Sequence, residues 1–144
     1  MILEATSAIQ SSESETAEKM SNQKLFLNLF RNAEAIDFSA GQTIFDADEP
    51  GLAMFVILSG EVDILIGDKL LETLSAGNIF GELALIDDGP RSARAVARTE
   101  CQLASADRRR FEFMVQETPY FALAVMQILA DRLRRTDARV AKLA

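Results

Sequence analysis

FGELALIDDGPRSA, residues Phe80–Ala93, is the most informative segment of this sequence. Gly81 has no Cβ, so the backbone there can approach a ligand closely. Glu82–Leu85 can form one helical turn, whose free N–H groups and dipole suit an anion. An Asp-Gly-Pro turn then reverses the chain, and Arg91 follows with a planar fork of donors suited to phosphate. With Glu82 as an acceptor for sugar hydroxyls, the stretch predicts a phosphate site beside a hydroxyl site.

Each half of this stretch also has an ordinary structural interpretation. Arg91 can pair with Asp87 or Asp88 on a surface turn, since most arginines are solvated. Glu82 can be an acid at a helix start, stabilised by the helix dipole. Both interpretations would have to hold together around a suitably placed glycine, so we favour a binding site.

Short strands are predicted on both sides of the stretch. All seven glycines lie between Gly41 and Gly89, which indicates a turn-rich region. The pattern predicts strands at Ala35–Phe38, Thr43–Phe45, Met54–Ser59, Glu61–Ile66, Leu70–Leu74, Arg94–Ala97 and Gln102–Ala106. Short strands at this spacing favour a mainly-β fold, a barrel or a sandwich.

Helices are predicted at both ends of the strand region. The first covers Asn22–Arg31, the second Arg109–Glu117, and the third is a long C-terminal helix over residues 119–143, which begins with a proline in its first turn. Residues 1–20 are rich in Ser, Glu, Thr and Ala and predict a flexible tail outside a single domain of residues 21–144.

Composition excludes several classes of function. The 144 residues contain no histidine, which excludes histidine-based triads and His-rich metal cages, and we expect no enzyme. The single cysteine, Cys101, is predicted to be a small buried residue in a strand. A net charge of −7 argues against non-specific nucleic-acid binding. No apolar run approaches the ~20 residues needed to cross a bilayer, and the start does not resemble a secretory signal, so we expect a cytoplasmic protein without membrane contact.

Phe80–Ala93 closely resembles the phosphate-binding cassette of the cyclic-nucleotide-binding domain family, which includes the regulatory subunits of protein kinase A, the bacterial catabolite activator and nucleotide-gated channels. Members of this family show F-G-E-x-A-L, a short variable turn and R-[AST]-A, and Phe80–Leu85 and Pro90–Ala93 match without a gap. The resemblance extends from about Ala35 to Arg135. It implies a β-barrel of the jelly-roll (double-stranded β-helix) type with an N-terminal helix and a long C-terminal helix.

The same resemblance implies a role for individual residues. Arg91 would pair with the cyclic phosphate, and Glu82 would accept from the ribose 2′-OH. Thr136, counted from the proline that opens the last helix, matches a threonine that touches adenine at the dimer interface of the catabolite activator, while Asp137 replaces a serine that contacts the partner's nucleotide. The remaining positions implied to surround the ligand, several through backbone N–H groups, are Phe80, Gly81, Leu83, Ala84, Ser92 and Ala93.

The resemblance also implies a ligand and an output. We expect a cAMP receptor that signals to a partner protein, with cGMP as the alternative because a hydroxyl after the arginine, here Ser92, can contact guanine. The catabolite activator continues into a DNA-reading domain, whereas this sequence ends at Ala144, so we expect no nucleic-acid partner. A structural or oligomerisation module whose cassette binds no nucleotide is the rival hypothesis.

The C-terminal helix carries a heptad-like seam. Its members are Ala122, Met126, Leu129, Leu133, Thr136, Val140 and Leu143. We expect the first half to pack on the protein's own strands and the second half, Leu129–Leu143, to form a parallel homodimer.

Overall fold

Two β-sheets form the centre of the fold. The computed structural model describes residues 21–143, with side chains up to Arg135. Its strands are β1 (Ile36–Phe38), β2 (Thr43–Phe45), β3 (Ala53–Ser59), β4 (Val62–Ile66), β5 (Lys69–Leu74), β6 (Ile79–Phe80), β7 (Arg94–Ala97) and β8 (Cys101–Asp107). They form two four-stranded antiparallel sheets, sheet A in the order β1-β8-β3-β6 and sheet B in the order β2-β7-β4-β5.

Four helices flank the sheets within the described residues. They are α1 (residues 21–29), α2 (Leu83–Ile86), α3 (Arg108–Glu117) and α4 (Pro119–Leu143). Asp107 caps α3 because its carboxylate accepts from the N–H of Arg110 at 2.9 Å. Across residues 21–143, none of these helices combines the length and the apolar character that crossing a bilayer requires.

The alternation of side chains along the strands produces two cores. Ile57 and Leu103 point from sheet A towards sheet B, where they meet Phe45 and other apolar residues of the β-roll interior. Met54 and Val56 point the other way, into a second cluster that α1, α3 and α4 complete. Sheet A is therefore buried on both faces, and α4 is fixed against the side of the roll.

The predicted mainly-β fold with flanking helices is confirmed. All seven predicted strands are present within a residue or so, and the helix predicted at 119–143 is α4. The strand β6 was not predicted, because two residues are too few to show an alternating pattern. Cys101 is buried as expected, and burial raises the pKa of its thiol. The tail predicted for residues 1–20 lies outside the described residues.

The prediction that the first half of the α4 seam packs on the protein's own strands is only partly correct. Leu129 packs against the helical core, but Met126 in the first half is 62% exposed, as is Leu133. The side chains that α4 buries are instead those of Phe121, Ala124 and Val125. An apolar stripe that includes Leu123, Met126 and Leu133 remains exposed on the opposite face. The side chains of Thr136, Val140 and Leu143 lie outside the described part of the chain.

Candidate functional site

One cavity gathers the predicted site residues. It has a volume of about 290 Å³ and lies between sheet B, the cassette Phe80–Ala93 and α4. Eight of the nine predicted residues line this cassette cavity, namely Phe80, Gly81, Glu82, Leu83, Ala84, Arg91, Ser92 and Ala93. The ninth, Thr136, belongs to a part of α4 whose side chains are not described. Its helix neighbours Arg132 and Arg135 both line the cavity.

Arg91 is a buried cation rather than a solvated turn residue. It is only 6% exposed, and its guanidinium donates to the carbonyl oxygens of Gly81 at 2.7 Å and Ala53 at 2.5 Å. The guanidinium carbon also lies 4.1 Å from the centroid of the Phe45 ring, within cation–π range. The Nε atom of Arg91 is buried and has no hydrogen-bond partner among the described residues.

The two aspartates considered as alternative partners of Arg91 are engaged elsewhere. Asp88 forms an ion pair with Arg108 at 2.7 Å, and Asp87 accepts from the N–H of Gly89 at 2.9 Å. The interpretation of Arg91 as part of a surface ion pair is therefore not supported.

The backbone of Arg91 is fixed by the loop between β2 and β3. The N–H of Arg91 donates to the Glu49 carbonyl, and the N–H of Asp48 donates to the Arg91 carbonyl, both at 2.8 Å. Burial lowers the pKa of Arg91, and the negative charges of Glu49 and Glu82 oppose this shift. Because a guanidinium keeps its proton in proteins, the cavity holds a positive charge that is held in position before any ligand arrives.

Gly81 makes room for the Arg91 side chain. Its φ of +81° is one that other residues rarely adopt, and a Cβ there would lie 2.6 Å from Nη1 of Arg91. The sequence predicted close approach of a ligand at this glycine. In the structure, the side chain of Arg91 is the group that approaches this glycine closely.

Glu82 points inward and pairs with a residue far along the chain. It is 1% exposed, and its Oε1 bonds Nη1 of Arg132 on α4. Arg132 also donates through Nη2 to the carbonyl oxygen of Ile79 at 2.5 Å. The side chain of Glu82 makes no capping bond to α2, and its Oε2 is buried without a partner in the described part of the molecule. Glu82 therefore does not act as an ordinary acid at a helix start.

The turn α2 begins beside these two charged groups. Its first backbone bonds run from the N–H groups of Leu85 and Ile86 to the Glu82 carbonyl, both at 3.1 Å. The N–H groups of Leu83 and Ala84 precede these bonds and belong to the end of a helical turn that suits an anion. The cavity thus combines a buried guanidinium, a buried carboxylate and backbone donors.

Sequence reasoning missed Arg132, Arg135 and Glu72, which also line the cavity. A signal for Arg132 was available, because it follows Ala124 and Ile128 at intervals of four on the face of α4 that packs against the core. An arginine on such a face needs a buried partner. The identity of that partner depends on how α4 docks, which local patterns do not reveal.

Comparison with known proteins adds the family. A model of the cyclic nucleotide-binding domain matches residues 35–118, more than half of the chain. The chain belongs to the cyclic nucleotide-binding domain family. It is 33% identical over 120 residues to the CRP-like cAMP-activated global transcriptional regulator of Mycobacterium tuberculosis, covering 80% of this chain and 54% of that protein. It is 37% identical to a cAMP-dependent protein kinase regulatory subunit of Colletotrichum orbiculare, covering 55% of this chain and 21% of that protein.

Solved structures show the same fold. The catabolite activator protein of Thermus thermophilus superposes with a TM-score of 0.70 at 30% identity, covering 76% of this chain and 54% of that one. The EAL enzyme Bd1971 in its cAMP-bound form gives a TM-score of 0.57 at 32% identity, covering 75% of this chain and 30% of that one. The chain thus spans about half the length of the Mycobacterium tuberculosis and Thermus thermophilus relatives that it matches.

Proposed function

We propose that this cyclic nucleotide-binding domain is a cAMP receptor whose nucleotide occupies the cassette cavity. The observation that carries the proposal is the pair Arg91 and Glu82. These are the two buried charged side chains within the described residues, they line the same cavity, and each leaves one polar atom unpartnered.

The unpartnered atoms favour a ligand for an energetic reason. A buried polar group without a hydrogen bond costs about 1–3 kcal/mol, so native proteins seldom retain two in one place. A cyclic phosphate beside Arg91 would compensate its charge, and the ribose 2′-OH would supply a donor to Glu82. The N–H groups of Leu83, Ala84, Ser92 and Ala93 would take the remaining phosphate and sugar oxygens.

The choice of cAMP rests on the relatives. The similar regulator and kinase subunit are both named for cAMP, and the EAL enzyme is known in a cAMP-bound form. The same enzyme is also known in a cGMP-bound form, so cGMP is the alternative that an experiment must test.

The proposed output is a change in α4. Arg132 ties this helix to the carboxylate that would hold the ribose. A 2′-OH arriving at Glu82 must share that carboxylate with Arg132 or displace it. Either way the nucleotide changes a contact between α4 and the roll, and we propose that a partner protein senses the helix. In this proposal the protein binds the cyclic nucleotide and does not hydrolyse it.

Isothermal titration calorimetry with cAMP, cGMP and 5′-AMP tests the proposal. We expect saturable binding of cAMP with one site per chain, and much weaker binding of 5′-AMP, which has the same base but lacks the cyclic phosphate. Absence of heat with both cyclic nucleotides would favour the rival hypothesis of a structural or oligomerisation module. Loss of cAMP during prolonged incubation, followed by chromatography, would contradict the non-enzymatic role.

A further inference from the structure

Glu72 lines the cassette cavity together with the carboxylates of Glu82 and Asp87, and no predicted role accounts for it. It lies on β5, paired with Ile64 of β4, and its side chain is 23% exposed. Oε1 of Glu72 lies 3.4 Å from Nη1 of Arg135 on α4. The apolar side chains around it in the cavity include Ile64, Ile66 and Leu71.

The position of Glu72 follows from α4. Arg132 reaches Glu82, and Arg135, three residues further along the helix, reaches Glu72. Three residues of α-helix rise about 4.5 Å, so the two carboxylates contact α4 at successive positions along the helix. Arg91 and Glu82 both belong to the cassette, whereas Glu72 belongs to the β4–β5 hairpin. The cavity is thus lined by two charged groups at the cassette and, on the β4–β5 side, by apolar side chains together with Glu72.

We infer that Glu72 determines base specificity by accepting a hydrogen bond from the 6-amino group of adenine. This inference rests on the proposed function. A nucleotide with its phosphate at Arg91 and its ribose at Glu82 places its base in the apolar part of the cavity. The flat base packs against Ile64 and Leu71, and its polar edge meets Glu72.

A carboxylate at this place discriminates between the two purines. An ionised carboxylate only accepts hydrogen bonds. Adenine carries an amino donor at position 6, whereas guanine carries an oxygen acceptor there. Glu72 therefore bonds adenine and repels the O6 atom of guanine. Guanine therefore loses the hydrogen bond that adenine makes and brings two acceptors together, which lowers its affinity relative to adenine.

Arg135 acts as a positioning residue for Glu72. It holds the carboxylate at the cavity wall while also pairing with Asp131 at 3.3 Å.

The test is the Glu72→Gln variant, titrated with cAMP, cGMP and purine riboside 3′,5′-cyclic monophosphate, which lacks the 6-amino group. The glutamine keeps the shape of Glu72 and gains an amide that donates to O6. We expect the ratio of cAMP to cGMP affinity to fall about tenfold or more. We also expect wild type to prefer cAMP over the analogue by a similar factor, and the variant to lose that preference.

Asp63→Asn is the matched control. Asp63 lies on the same hairpin, is 22% exposed and pairs with Arg98 at 3.5 Å, but it is not among the residues that line the cavity. It should leave all three affinities unchanged. Thermal unfolding of both variants checks the fold.

The outcomes separate the two proposals. If wild type binds cyclic nucleotides and Glu72→Gln leaves the cAMP to cGMP ratio unchanged, the inference about Glu72 is wrong and the proposed function stands. A wild-type preference for cGMP that Glu72→Gln removes would mean that Glu72 bonds the N1 and N2 donors of guanine, which also overturns the inference. If no cyclic nucleotide binds, both proposals fall.

Discussion

Arg91 owes its position to backbone carbonyls. Gly81 and Ala53 accept from its two terminal nitrogens, and the Phe45 ring covers one face of the guanidinium. These contacts hold the side chain without neutralising its charge, because carbonyls are dipoles and the nearby carboxylates contribute only at longer range. A residue arranged in this way is ready to bind an anion with little further loss of side-chain entropy.

Arg91→Ala should weaken cAMP binding strongly. The charged contact to the cyclic phosphate would be lost, and we expect a cost of roughly 2–5 kcal/mol, at least about 30-fold in affinity. Arg91→Lys, which keeps the charge but not the fork, should fall between wild type and the alanine variant. Calorimetry on proteins shown to be folded by circular dichroism measures the effect.

Arg94→Ala is the control for this prediction. Arg94 is three residues away, its side chain is 46% exposed, and it pairs with Asp46 at 3.9 Å. Its removal should not change the affinity. Unchanged affinity in a folded Arg91→Ala protein would contradict the assignment of the cassette.

Glu82 is predicted to bind the ribose, and its contribution to nucleotide affinity can be measured separately from its structural role. Glu82→Ala should weaken cAMP more than 2′-deoxy-cAMP, because only cAMP has the hydroxyl that Glu82 accepts from. The comparison of two ligands with two proteins forms a double-mutant-style cycle. If the affinities for both ligands fall by the same factor, Glu82 has only a structural role and does not bind the ribose hydroxyl.

At the scale of elements, α4 is held to the roll by two ion pairs of different burial. Arg132 meets the buried Glu82, whereas Arg135 meets Glu72 in a more exposed setting, with 42% of the Arg135 side chain accessible. Water screens the second pair much more than the first, so the first contributes more to docking of the helix. The link between nucleotide and helix is therefore concentrated at Arg132.

Arg132→Met should destabilise the protein, because the buried carboxylate of Glu82 loses its partner. We expect a cost of about 1–3 kcal/mol, since Arg132 retains some contact with water. The cost should shrink in a Glu82→Gln background, where the group left unpaired is neutral. Thermal or urea unfolding of the four proteins measures this coupling.

Arg109→Met provides the comparison on α3, because Arg109 is exposed and does not line the cassette cavity. It should unfold close to wild type. An Arg132→Met protein that is as stable as Arg109→Met would show that the Glu82–Arg132 pair does not fasten α4.

For the whole molecule, the exposed stripe of α4 bears on oligomeric state. Leu123, Met126 and Leu133 are 50–62% exposed and share one face of the helix. We predict a homodimer through this face, extended by the seam predicted to Leu143. Leu133→Asp should shift sedimentation towards monomer, with cAMP and without it, because a charge would be buried at the contact. Leu52→Asp, at a leucine of the β2–β3 loop that is 75% exposed, should leave sedimentation unchanged. A wild-type monomer at high concentration in both ligand states would contradict the dimer.

We also predict that the protein does not bind duplex DNA. Because the sequence carries a net charge of −7, contact with a phosphate backbone lacks the electrostatic term that supports non-specific binding. We expect no gel shift of duplex DNA at physiological salt, with or without cAMP. A sequence-dependent shift that responds to cAMP would contradict this prediction and would place the chain functionally beside its transcriptional relatives.

Local patterns of the sequence are enough to predict the strands, the long helix and the place of the cassette. Alternation predicts a strand, a proline predicts the start of α4, and fourteen consecutive residues contain the cassette. Only the folded chain shows that Arg132 pairs with Glu82 fifty residues away, that Ala53 helps to hold Arg91, and that Glu72 lines the cavity. It also decided which face of α4 is exposed, because a helical repeat specifies an apolar stripe but not the surface that covers it. Such contacts depend on how α4 docks on the roll, and docking is set by the packing of two cores rather than by any one segment.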